Sequence, residues 1–227
     1  MLGSSSTTTR AWLILLRGGG LFTMLGGMNV PYRQIRADFG EEAVTVYQAY
    51  DPAIADPAVA AQRFVAPFKR ERMTWIKPSF LWMMYRCGWA TKPGQTRVLA
   101  VEISREGFEW ALGRSCLSHP DGETDPEAWR RRLRESPVRV QWDPERDPHH
   151  NALPYRSIQV GLSGEAVARY LDRWTLRITD LTDRVHDIRQ ALRDGRDVTG
   201  MLPVERPYPL PEELAQAIGS CVRKPDA

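Results

Sequence analysis

The chain is poor in the residues that build staples and metal centres. Its three cysteines, Cys87, Cys116 and Cys221, are odd in number, widely spaced and never form a CxxC pair. That excludes a zinc ribbon and a disulfide framework, and points to a reducing, cytoplasmic setting. There are four histidines. His119 and His186 are isolated, and the adjacent pair His149–His150 cannot face one metal as residues a helical turn apart would, so no metal is expected. The apolar run Ala11–Leu16 is too short to span a membrane. Arg17 and the glycines after it break any secretory signal pattern. No GxSxG elbow, HExxH helix or Walker loop occurs, since the glycines at 18–20 are not followed by Lys-Ser/Thr. Internal repeats are missing as well.

What remains is an ordinary globular composition, 42% hydrophobic and 26% charged over 227 residues, enough for one domain with a sizeable core. The net charge of +3 neither demands nor excludes nucleic acid. Arginine far outnumbers lysine, which suits bidentate anion recognition wherever arginines converge. Residues 1–27 have a texture of their own and are expected to be a disordered extension or a misplaced start. A single α+β domain is expected over 28–200, followed by a proline-rich link and a short helix over 201–227.

The densest signal is Arg72–Trp89, which carries three tryptophans, three methionines, a tyrosine and the cations Arg72, Lys77 and Arg86 in eighteen residues. Met73–Lys77 reads as extended because Pro78 pushes its predecessor out of the α region. Ser79 is placed to cap a helix over Phe80–Arg86, with Gly88 behind it. Further strands are predicted at Gln34–Ala37, Val44–Tyr50, Arg97–Ile103, Val138–Trp142 and Tyr155–Leu162. Helices are predicted at Ala58–Val65 (opened by Asp56-Pro57), Arg105–Arg114, Ala128–Glu135, from a Ser163 cap to about Arg173, over Leu176–Arg193 and over Glu212–Ile218. Residues 143–154 read as a polar loop. The order gives a mixed, mostly antiparallel sheet core flanked by helices, with a helical C-terminal third.

Polar residues stand inside or at the ends of these elements: Arg36, Tyr47, Gln48, Lys77, Ser79, Tyr85, Arg86, Glu145, Arg156 and Gln159. The Lys77–Ser79 junction offers amides and a helix dipole to an anion. Period-2 alternation sets Arg156 and Gln159 on opposite faces of their strand. Cations beside aromatics suit a flat anionic ligand such as a nucleotide. Core packing accounts for most of the tryptophans and methionines.

The segments IRADFGEEAVTVYQAY, RMTWIKPSFLWMMYRCGW, VLAVEI, VQWDPERD and YRSIQVGL resemble the DUF4291 family over about Tyr32–Arg193, a resemblance that supplies no activity. The order of an Arg-bearing early strand, a strand–Ser–helix unit and a late strand bearing Gln is also similar to the ADP-ribosyltransferase fold. That similarity implies NAD as substrate, with Arg36 gripping it, Ser79 or Tyr85 orienting the nicotinamide side and Gln159 orienting the reacting ribose. The usual late Glu is missing, and Glu145 is a substitute from the preceding segment. The implied activity is transfer of ADP-ribose to a protein, nucleic acid or small acceptor. The alternatives are a non-catalytic nucleotide or RNA module, and an interaction domain with an open Trp/Met surface.

Overall fold

The structure is a computed structural model that describes residues 30–120 and 125–220. Cys221 and the proposed extension over 1–27 lie outside the described residues. Among the described residues nine strands form three small sheets. In the first, β2 (Ala43–Tyr50) pairs antiparallel with β4 (Arg97–Ser104), which pairs antiparallel with β8 (Thr175–Asp180). In the second, the order is β3 (Thr74–Ile76), β7 (Ala152–Leu162), β6 (Val138–Arg146) and β5 (Ser115–Leu117), parallel only at β5–β6. The third is a two-residue pairing of β1 (Arg36–Ala37) with β9 (Arg206–Pro207). A backbone hydrogen bond, Tyr47 N–H to the Lys77 carbonyl at 2.7 Å, joins the first sheet to the end of β3. The fold is α+β with mixed, mostly antiparallel sheets, as the alternation of elements implies.

Seven α-helices among the described residues accompany the sheets: α1 (Pro52–Ala61), α2 (Phe80–Cys87), α3 (Arg105–Gly113), α4 (Pro126–Glu135), α5 (Glu165–Arg169), α6 (Thr182–Arg193) and α7 (Glu212–Ala217). Ser79 caps α2 as its sequence predicts, its Oγ accepting from Trp82 N–H at 3.2 Å, and Gly88 follows in the left-handed region at φ 62°. The tryptophans and methionines in and just after α2 are core: Trp82, Met83, Met84 and Trp89 are all buried. An open Trp/Met face is therefore corrected: these side chains are buried, and Met83, Met84 and Trp89 belong to an internal cluster that also holds Tyr47 and Val185.

Four predicted elements are corrected. The first helix starts six residues early, because Asp51 caps it through Ala53 N–H and Pro52 takes the first position; Asp56-Pro57 falls inside. The loop over 143–154 is mostly strand, since β6 runs on to Arg146 and β7 begins at Ala152. Thr175–Asp180 is strand rather than helix, because pairing with β4 buries Ile178 where the sequence shows no strong alternation. Ser163 does not cap a helix. Its hydroxyl donates to the Pro137 carbonyl, and Gly164 at φ 51° precedes α5. Among the described residues no helix is long and apolar enough to cross a membrane.

Candidate functional site

The β3–α2 junction Lys77-Pro78-Ser79 has a cavity on either side, and the sequence candidates divide between them. Pro78 ends the strand by removing a backbone donor, and the turn sends neighbouring side chains opposite ways. Ser79 lines one cavity and Lys77 the other.

The Ser79 cavity measures about 630 Å³, within the range that takes small ligands. β1 brings Arg36 to it, β6 brings Glu145 and β7 brings Tyr155, while Glu205 arrives just before β9. Leu81, Leu153, Leu192 and Val198 supply apolar wall. Glu145 is buried, and its Oε1 accepts from Ser79 Oγ at 2.9 Å and Arg146 N–H at 2.8 Å. Glu205 Oε1 accepts from Phe80 N–H at 2.6 Å. Two carboxyl groups thus gather at the N-terminus of α2, where amides and dipole favour negative charge. Arg36 donates to the Glu205 carbonyl at 3.4 Å. Burial pushes the Glu145 carboxyl above the usual carboxylate range, against its hydrogen bonds and the nearby Arg36. Burial raises Glu205 further, and the Glu145 charge adds to it. A carboxyl held this way exchanges protons nearer neutrality than a free one.

The Lys77 cavity measures about 580 Å³ and is lined by Gln48, Arg72, Trp75, Arg86, Gln141 and Gln159 among others. Lys77 is 6% exposed. Its Nζ donates to the Trp75 carbonyl at 3.3 Å and lies 5.4 Å from the centre of the Trp82 ring. Burial lowers its pKa to about 7, Arg86 lowers it too, and Asp143 opposes both. Gln48 is occupied structurally: its Nε2 donates to the Trp75 carbonyl at 3.1 Å and its Oε1 accepts from the Tyr170 hydroxyl at 2.6 Å.

Three candidates line neither cavity. Tyr47 is 1% exposed and packs edge-on against Phe80. Tyr85 lies under the Arg146 guanidinium, 3.8 Å from its ring centre. Arg156 Nε donates to the Tyr32 hydroxyl at 2.8 Å. The structure thus brings Arg36, Ser79 and Glu145 together, and separately Gln48, Lys77, Arg86 and Gln159. It does not bring Gln159 to Arg36. Sequence reading missed Glu205, Tyr155 and Gln141. Glu205 sits in a proline-rich stretch without periodicity, and only the β1–β9 pairing delivers it. Gln141 was legible, two residues before Asp143 on a strand of known phase. Among the described residues no cluster of His, Cys, Asp and Glu is suited to a metal ion.

The family model described as a domain of unknown function, DUF4291, matches residues 34–208, which includes both cavities' principal residues. No curated protein matches the chain.

Proposed function

The chain belongs to the DUF4291 family, and because that membership carries no activity we propose its function from the chemistry of the Ser79 cavity: an ADP-ribosyltransferase-like enzyme that takes NAD and passes ADP-ribose to an acceptor. The observation that supports this reading is the meeting of Arg36, Ser79 and Glu145 in one cavity, with Ser79 Oγ 2.9 Å from the Glu145 carboxylate. Those are the three roles the fold resemblance asks for, taken from three distant segments. Glu145 rather than Gln159 fills the late position, since Gln159 lines the other cavity.

In this reading Arg36 pairs with the diphosphate, as a planar guanidinium does well. The bond from ribose C1′ to the nicotinamide nitrogen breaks and its electron pair leaves with nicotinamide. Ionised Glu145, aimed at the ribose hydroxyls, stabilises the positive charge that grows on the sugar. The acceptor nucleophile bonds to C1′ and its proton passes to the carboxylate. Because burial raises the Glu145 pKa, the acid limb of the pH profile is expected above the ordinary carboxylate range.

Incubation with NAD labelled in the adenylate half tests this directly. Wild type is expected to release nicotinamide and label an acceptor, and Glu145→Gln to lose about 100-fold or more in rate. Arg36→Ala is expected to raise KM for NAD. No labelled product, together with no NAD binding at millimolar concentration, retires the reading.

A further inference from the structure

We infer that the Lys77 cavity is a second ligand site, separate from the Ser79 cavity, and that it takes a nucleoside phosphate: Lys77 and Arg86 hold the phosphate while Gln141 and Gln159 accept N–H groups of the base.

Three observations converge on that ligand. The first is charge. Lys77 is 6% exposed and lines the cavity, yet among the described residues no carboxylate lies within ion-pair distance of it. One donor is spent on the Trp75 carbonyl. A buried ammonium group with donors to spare is costly until an anion meets it. Arg86 is exposed in the same lining, and Arg72 stands there too.

The second observation fixes two acceptors. Gln141 and Gln159 are directly opposite each other on β6 and β7. Both donate Nε2 to the same carboxylate, Asp143, at 2.9 and 2.7 Å. An ionised carboxylate only accepts, so each amide must turn its nitrogen to Asp143 and its oxygen away. Neither Oε1 accepts a hydrogen bond from any described residue, and both glutamines line the cavity. The clamp holds two carbonyl oxygens ready for N–H donors.

The third is shape. Trp75 is half-buried in the lining, and its indole lies against Gly161, where a Cβ would come within 2.9 Å of the ring. The glycine lets the indole lie close to the sheet as a flat wall. Cations, paired acceptors and a flat wall in about 580 Å³ match a ring with N–H groups and an attached phosphate. An apolar ligand would leave all of the polar groups unmet.

Isothermal calorimetry on the full chain tests the site with AMP, adenosine and inorganic pyrophosphate. AMP is expected to bind, and adenosine to bind about tenfold more weakly or worse. Lys77→Met weakens AMP to a similar degree, and so does Arg86→Ala, which alters an exposed residue and leaves folding intact. Gln159→Leu weakens AMP but not pyrophosphate, which has no N–H to offer. Arg36→Ala leaves AMP affinity unchanged, so failure here and failure of the NAD reading are told apart. A 5′-phosphorylated oligonucleotide run beside its unphosphorylated twin distinguishes the end of a strand from a free nucleotide as the source of the phosphate. The inference is overturned if AMP gives no binding at millimolar concentration, if Lys77→Met and Arg86→Ala bind it like wild type, or if Arg36→Ala abolishes it.

Discussion

Ser79 carries two duties through one oxygen. Its Oγ accepts from Trp82 N–H and donates to Glu145, so the cap of α2 and the orientation of the carboxylate are one arrangement. Removing the hydroxyl affects both. Loss of a serine cap costs about 1 kcal/mol. Loss of a hydrogen bond to a buried acceptor adds about 1–3 kcal/mol. Ser79→Ala is therefore expected to lower unfolding free energy by roughly 2–4 kcal/mol, read as a shift of the urea midpoint at constant slope. In a Glu145→Gln background the same change is expected to cost less, because the shared bond is already altered. Equal costs in the two backgrounds would separate the cap from the carboxylate. Lys77, two residues earlier, shares none of this. Its neighbours are a carbonyl, an indole and the Arg86 cation, with the Asp143 carboxylate opposing that cation.

At the scale of elements, local signals and packing sometimes oppose each other, and α3 is the clearest case. Gly107 lies inside this helix, where alanine would normally be favoured by about 1 kcal/mol. A Cβ there would sit 2.3 Å from Cγ of the buried Trp174, near the root of a side chain that has no room to swing away. Gly107→Ala is expected to destabilise by about 1–3 kcal/mol despite the better helix propensity, measured by thermal or urea unfolding; a more stable variant would show that the indole can move at no cost. The same contest decides what the sequence made legible. Caps are local, and Ser79 and Gly88 read true. Strands with strong β-branched runs, β2 and β4, read true for the same reason. Thr175–Asp180 was misread because its strand character comes from pairing with β4, not from its own alternation. β5 went unpredicted, being three residues long and dependent on a parallel partner. At the site, the chemistry of Arg36, Ser79 and Glu145 was visible as residue types at element ends. Their division from Lys77 and Gln159 was not, because it depends on how three sheets meet.

On the scale of the whole molecule, the two cavities give the protein opposing pH responses. Glu145 and Glu205 have folded pKa values raised by burial, so the folded state binds their protons more tightly than the unfolded chain. Their contribution is full below about 4.3, the ordinary glutamate value, and is lost as pH rises through the raised folded values. Lys77 works the other way. Its folded pKa is lowered to about 7, against about 10.4 for an unfolded lysine. Between those values the unfolded chain binds the extra proton, so stability rises with pH across the window and falls to its floor as pH drops through 7. Lys77→Met removes this slope while keeping similar side-chain volume. The difference in unfolding free energy, wild type minus Lys77→Met, is therefore expected to climb steadily from pH 7 to pH 10 in urea titrations and to lie flat below pH 6. Parallel curves across pH 7–10 would mean that Lys77 is solvated like a surface lysine. A bound nucleoside phosphate shifts the same window: by pairing with the ammonium it raises the folded pKa toward the unfolded one, so saturating AMP is expected to flatten the wild-type slope while leaving the slope of the Lys77→Met curve unchanged.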